Sequence, residues 1–319
     1  MVKQNNFEFR SDGPVVVIGA AGVDIVGRLE GELHEGSSNP ARIRITYGGV
    51  ARNVAENLAR LGQAVFLLTA VGQDEYGQRL VESARAAGVD TEYVIFCEDC
   101  LTGMYMGILN PKAEILFALD SMEVTRNLTP AYVRKHAPLF KKASFVFIDM
   151  NLPSETIRTV FSLAKRYRVP VCADPTSMYL APRLLPYLAQ TFLITPNFSE
   201  ACLLAQQPEK PPSPPQALLI AKALVSQGVS VVIITLAEQG LCYASSETNG
   251  HIPAIQTEIL DPTGAGDALT AAVLFALLNE MPLDEAVRLG VSAATLTLRY
   301  PGAVVPDLTL EKLYDQLVI

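Results

Sequence analysis

The chain has 319 residues, half of them hydrophobic and 18% charged, with a formal net charge of −8. Such a chain can bury a large core and is not disordered. The acidic balance argues against general nucleic-acid binding, which needs a basic face, and no apolar run reaches the length that spans a bilayer.

The polar amino terminus, MVKQNNFEFRSDG, lacks the apolar stretch of a signal peptide, so a cytoplasmic location is expected. PVVVIGAA (14–21) reads as a buried strand. Residues 25–47 alternate apolar and polar around turn signals, and the pattern predicts antiparallel strands of a small lid sheet. Across 49–61, Val50, Val54, Leu58 and Leu61 recur at helical spacing and Gly62 stops the helix. AVFLLTAVG (64–72) is the next strand, and 76–87 is a helix closed by Gly88. Residues 99–118, with a hairpin turn at Asn110-Pro111, supply the rest of the lid as antiparallel strands.

SFVFIDM (144–150), VPVCADP (169–175), TFLITPN (191–197) and VSVVIITLA (229–237) read as further buried strands. The segment 208–216 carries five prolines and reads as a surface loop, excluded from helix and central strand. Near-continuous apolar strands alternating with helical patterns predict an α/β fold. Its sheet is mainly parallel, with helices on both faces and a lid at one edge. The expected organisation is one domain over 1–319.

The five cysteines are scattered and odd in number, which fits a reducing compartment. Cys97 and Cys100 form a CxxC, but no second ligand pair stands nearby. An ordinary strand-end position is therefore the expectation there, ahead of metal or redox chemistry.

The strongest chemical signal is DPTGAGDA (261–268), directly before the apolar helix LTAAVLFALLNE. Small residues ahead of a helix let amides approach an anion, and the helix start adds partial positive charge. Asp267 stands where a carboxylate could take a proton from a nucleophilic hydroxyl; the plainer alternative is a helix cap. There is no GxxxxGK[ST] phosphate loop. GAAGVD (19–24) is not GxGxxG, which weakens a dehydrogenase reading.

DPTGAGDA resembles the carboxy-terminal signature of the ribokinase-like (PfkB) carbohydrate and nucleoside kinases. GGVARNVA (48–55) resembles their amino-terminal signature. The resemblance implies a Rossmann-like sheet with a β lid, and a kinase that moves the γ-phosphoryl group of ATP to an alcohol. It implies Asp267 as base, with Gly264, Ala265, Gly266 and Asp267 forming an anion hole. Asp24, Gly48, Gly49 and Asn53 become sugar contacts. Asn197 and Glu200 match the family's NxxE and would be outer ligands of a hydrated Mg²⁺ on ATP, although Glu200 also reads as a first-turn helix acid. Thr235, Glu238 and Gly240 resemble the nucleotide-binding stretch. Asp261 and Thr263, with carbonyls near Gly302, resemble the ligands of a K⁺ that many members use.

Within the family the chain is most similar to pseudouridine kinases, through residues 37–62, 69–80, 149–151 and 173–177. It departs from them at Ala41, where SNPG is usual, and at Gly22, where many relatives carry Asn. Ser38, Asn39 and Thr102 are candidate readers of the extra ring N–H of pseudouridine, or simply turn and strand-end residues. The rival readings are a kinase of the same family with another acceptor and a non-catalytic ligand-binding protein. A homodimer paired through lid strands is expected by resemblance alone.

Overall fold

The computed structural model describes residues 12–112 and 114–317. Most of the amino-terminal stretch read as lacking a signal peptide lies outside the described residues. The chain enters through β1 (Val15–Ile18) and builds the first lid hairpin from β2 (Gly22–Leu29) and β3 (Ala41–Gly48). Helix α1 (Val50–Arg60) returns it to β4 (Val65–Leu68), then β5 (Ala70–Gly72), α2 (Glu75–Ala86) and β6 (Ile95–Cys97). The second lid hairpin is β7 (Gly103–Leu109) and β8 (Ile115–Ser121). Short helices α3 (Pro130–Lys135) and α4 (Ala137–Lys142) precede β9 (Phe145–Asp149), α5 (Ser154–Tyr167), β10 (Val171–Asp174) and β11 (Leu193–Ile194). Then come α6 (Phe198–Leu204), α7 (Pro214–Ser226), β12 (Val231–Thr235), β13 (Leu241–Ser245) and β14 (Asn249–Ile252). The chain closes with α8 (Ala265–Leu278), α9 (Leu283–Leu298) and α10 (Leu310–Leu317).

The main sheet runs β14-β13-β12-β11-β10-β9-β1-β4. From β12 to β4 every neighbour is parallel, and the apolar strands are covered on both faces. Alternation along β1 divides the core. Val16 and Ile18 pack with Ile157 of α5 and Ile220 of α7, while Val15 and Val17 pack with Leu58 of α1 and Val273 of α8. At one edge β13 and β14 add two antiparallel strands, which the sequence reading did not foresee.

The lid sheet has the order β3-β2-β7-β8. Each hairpin is antiparallel as expected, but β2 and β7 join the hairpins in parallel, which corrects the all-antiparallel expectation. Local pattern reveals hairpins; it does not reveal how two distant hairpins meet. Asn110 closes the second turn by accepting from the amides of Lys112 and Glu114. Register places Thr46, Asp24 and Tyr105 in one row, with Asp120 beyond them, and Ile45, Ile25, Met106 and Leu119 in the row on the other face.

Two further expectations are corrected. The proline-rich segment is not loop throughout: α7 starts at Pro214, because a first-turn residue needs no amide donor. Cys97 and Cys100 are joined as a disulfide, whereas Cys172, Cys202 and Cys242 are free and buried. The bond closes the turn between β6 and β7, and the Asn127 amide reaches both sulfurs. Among the described residues no helix is long and apolar enough to cross a membrane.

Candidate active site

Parallel strands of one sheet all end at the same edge, and helix amino termini gather there. β1 turns through Gly19–Ala21 into the lid, β9 ends on Asp149 and β10 on Asp174. α1 and α8 both begin over this edge and pack along one another.

The start of α8 is set by Gly264, which caps the helix at φ 79°. A Cβ there would run into the backbone of Ala303, so glycine is required both for conformation and for space. The amides of Ala265, Gly266 and Asp267 belong to the first turn and have no carbonyl inside the helix to bond. Thr270 Oγ1 donates to Thr195 Oγ1 at 2.9 Å and lies 2.9 Å from the Gly266 carbonyl, which ties this turn to the end of β11.

Asp267 lies in that turn, half-buried, and accepts a 2.8 Å hydrogen bond from Asn53 Nδ2 on α1. Burial pushes its carboxyl up to about 7, with the Asp149 charge adding to the rise; the Asn53 bond and the Arg52 charge oppose it. Asp24, on the inner face of the lid, is also raised to about 7, chiefly by burial and then by Asp267. Two interacting carboxylates, both raised toward neutrality, thus stand where the lid meets the start of α8. Gly48 leaves room for the Asp24 carboxyl, and Gly49 at φ 93° turns the chain into α1 against the carbonyl of Ala20.

Asp149 fixes this arrangement from below. Its Oδ2 accepts from the amides of Ala20 at 2.7 Å and Ala51 at 3.1 Å, and its Oδ1 from Asn151 at 2.9 Å. One fully buried carboxylate thus joins β1, the start of α1 and the end of β9. Asp174 accepts from Thr176 and is held well above the usual carboxylate range, by burial first and then by Glu200 and Asp267.

The structure brings Asp24, Gly48, Gly49, Asn53 and 264–267 together. It does not bring Ser38 and Asn39 to them. They lie in the turn beyond the Leu29–Ala41 end of the hairpin, five residues from Asp24, or roughly 17 Å along an extended strand. The Asn39 amide is spent on the backbone of His34 and Ser37. Thr102 lies beside the Gly22–Gly103 pairing, but its hydroxyl donates to Asp74 Oδ1 and accepts from the Gly72 amide. Ser38 and Asn39 thus stand apart from the clustered residues, and Thr102 and Asn39 have their polar groups engaged within the protein.

Asn197 and Glu200 form a reciprocal capping box at the start of α6, each accepting the other's amide at 2.9 Å. Only one Glu200 oxygen is used. Among the described residues no group of three or more His, Cys, Asp or Glu is placed to hold a metal. Asp174 at the end of β10 and Glu200 in the first turn of α6 are oxygen donors of the kind that suit the outer shell of a hydrated divalent cation. Thr235 ends β12 and pairs with Asn197, Glu238 is exposed, and Gly240 turns the chain at φ 85°. These three form the strand-end rim next to the capping box.

Asp261 does not fit a K⁺ site as arranged. Its Oδ2 pairs with Arg44 Nη1 at 2.8 Å and its Oδ1 takes the Thr263 amide at 3.0 Å, so its charge is already matched. The segment at Gly302, next to Ala303, packs against the Gly264 turn, but the carboxylate expected to join its carbonyls faces the lid. Arg44, Arg52, Tyr105 and Asp149 have sidechain placements that the pattern reading did not single out. The signal for Asp149 was present as an acid ending an apolar strand.

A family model described as pfkB family carbohydrate kinase matches residues 13–310. The pseudouridine kinase of Escherichia coli (strain K12) is 30% identical over 297 residues, covering 93% of this chain and 94% of that protein. The ribokinase of Bacillus subtilis (strain 168) is 28% identical over 294 residues, covering 91% and 94%. A solved carbohydrate kinase from Agrobacterium tumefaciens superposes with a TM-score of 0.80 at 27% identity, covering 96% of this chain and 97% of that one. Arabidopsis thaliana ribokinase complexed with ribose and ATP shares the fold at a TM-score of 0.83 and 22% identity, covering 96% and 99%.

Proposed function

Because the chain belongs to the pfkB family of carbohydrate kinases, we propose that it transfers the γ-phosphoryl group of ATP to the 5′-hydroxyl of pseudouridine, giving pseudouridine 5′-phosphate and ADP. The observation that carries the reading is Asp267 in the first turn of α8, its carboxyl near neutrality and bonded to Asn53. Asp267 takes the acceptor proton as the hydroxyl oxygen attacks phosphorus. The amides of 264–267 face the charge that spreads over the migrating group, and the leaving oxygen departs with ADP. Asp24 and Asn53 hold the sugar hydroxyls, with Gly48 and Gly49 allowing close approach. Mg²⁺ on the nucleotide would neutralise phosphate charge beside Glu200 and Asn197, and Thr235, Glu238 and Gly240 border the nucleotide. The enzyme works as a single kinase domain with a lid, in the cytoplasm.

Support for pseudouridine is the 30% identical relative. A simpler sugar acceptor is the second reading, favoured by the distance of Ser38 and Asn39 from the sugar contacts. A panel of pseudouridine, uridine, adenosine, inosine, ribose and fructose, with ADP release as the readout, decides between them. Pseudouridine is expected to give the highest kcat/KM by at least tenfold, and a higher value for ribose would overturn the assignment.

The lid's outer face exposes Ile43, Ile45, Phe117 and Leu119. We assign this face to pairing with a second copy, since burying it is favourable at about 25 cal/mol per Å². Sedimentation should show a dimer that Ile45→Asp with Leu119→Asp converts to monomer; a monomeric wild type would sink the assignment.

A further inference from the structure

Helix α1 buries a guanidinium that neither sequence signature explains. Arg52 is 4% exposed and its charge partner Glu56 is 3% exposed. Glu56 pairs with Arg52 one turn before it and with Arg60 one turn after, the latter at 2.7 Å. A chain that wanted only this pairing could make it at the surface, where the desolvation cost is small.

The fork of Arg52 is aimed at the site. Its Nη1 donates to Asn53 Oδ1 at 3.1 Å and to the Tyr47 carbonyl at 3.1 Å, at the junction of β3 and α1. Asn53 then donates from Nδ2 to Asp267 Oδ2 at 2.8 Å. A guanidinium can only donate and an ionised carboxylate can only accept. The Asn53 amide, held between them, has one permitted orientation.

Resting on the kinase reading above, we infer that Arg52 is a positioning residue: its guanidinium locks the Asn53 amide so that the NH₂ group faces Asp267 and aims that carboxylate. Without Arg52 the amide is free to turn, and its oxygen would then oppose the carboxylate. The charged groups facing Asp267 are Asp24 from β2, Arg52 from α1, Asp149 at the end of β9 and Asp174 at the end of β10. Arg52 is the one cation among them, and its charge lowers the affinity of both Asp24 and Asp267 for a proton.

The test is Arg52→Gln, with Arg52→Lys beside it. Carbon-13 labelling of aspartate, assigned with Asp267→Asn, reads the Asp267 titration without requiring turnover. Arg52→Gln is expected to raise that titration by about one pH unit and to lower kcat at neutral pH about thirtyfold, of which about fivefold, the share due to the lost fork, persists above about pH 9. The KM for ATP should stay within a few-fold. Arg52→Lys keeps a charge but cannot make the same fork, so its kcat should fall about fivefold or more with the acidic limb near that of wild type. An unmoved Asp267 titration in Arg52→Gln, a kcat loss uniform across pH, or wild-type kcat in Arg52→Lys would each overturn the inference. If Arg52→Gln does not fold, the Arg52→Lys arm decides alone. A wild type that turns over no acceptor would instead sink the kinase reading, while the titration test would still stand.

Discussion

Replacing Asp267 with alanine is expected to lower kcat by about two to four powers of ten while leaving ATP affinity within a few-fold. The carboxylate lies at the start of α8, where an acid that only capped the helix would leave catalysis intact when removed. Its remaining loss of rate is limited because the amides of the same turn still stabilise the migrating group. Burial raises the carboxyl to about 7, so it is protonated, and useless as a base, below that pH. The kcat/KM of the wild type should therefore rise with pH, about tenfold per unit below its apparent pKa, and level off above it. The neighbouring Asp24 titrates in the same range, so the limb reports the pair and not one group. Steady-state rates from about pH 5 to about pH 9 on wild type and Asp267→Ala measure both effects. An alanine variant with near wild-type kcat removes Asp267 from the mechanism.

Gly264→Ala is the second large effect. Its φ of 79° lies in the left-handed region, and the added Cβ would meet the carbonyl and Cα of Ala303. Conformation alone costs about 1–2 kcal/mol, and the clash forces the helix start or the Ala303 segment to move. Amides that stabilise a migrating phosphoryl group act over a narrow distance range, so we expect kcat to fall by about two to three powers of ten. Gly266→Ala probes the same turn without that strain, because a Cβ there meets no protein atom within 4 Å. Thermal unfolding alongside kcat separates the two causes. A Gly264→Ala enzyme that melts early but retains its kcat would show that this turn supports the fold and not the reaction.

Much of the fold was legible because buried parallel strands are written as uninterrupted apolar runs. Ile148 and Val232 lie fully buried where such runs predicted strands. Glycine marked the ends of α1 and α2, and Gly62 and Gly88 adopt the positive φ that explains why. The β13–β14 extension escaped because the apolar run of β13 is only four residues long and β14 (NGHI) is polar and mostly exposed, and α7 because prolines hide a helix start. At the site, the position of Asp267 could be read from its neighbours in sequence. The bonds from Arg52 and Asp149, and the pairing of Arg44 with Asp261, join residues about 100 to about 220 positions apart or depend on sidechain direction, which no local pattern encodes. Asn39 looked polar and available, yet its amide was already committed to its own turn.

The lid's construction has a consequence for how the protein reaches its native state. Its two hairpins, 22–48 and 103–121, meet only through β2 and β7, with all of α1, β4, β5, α2 and β6 lying between them in the chain. Closing so long an intervening loop costs chain entropy, which is repaid only after that loop has itself collapsed onto the core. The β1–β9 pairing of the main sheet spans a still longer stretch, Val15 to Phe145 against Gly22 to Gly103 for β2–β7, so during synthesis the lid around Asp24 can close before the strands that complete the central sheet have emerged.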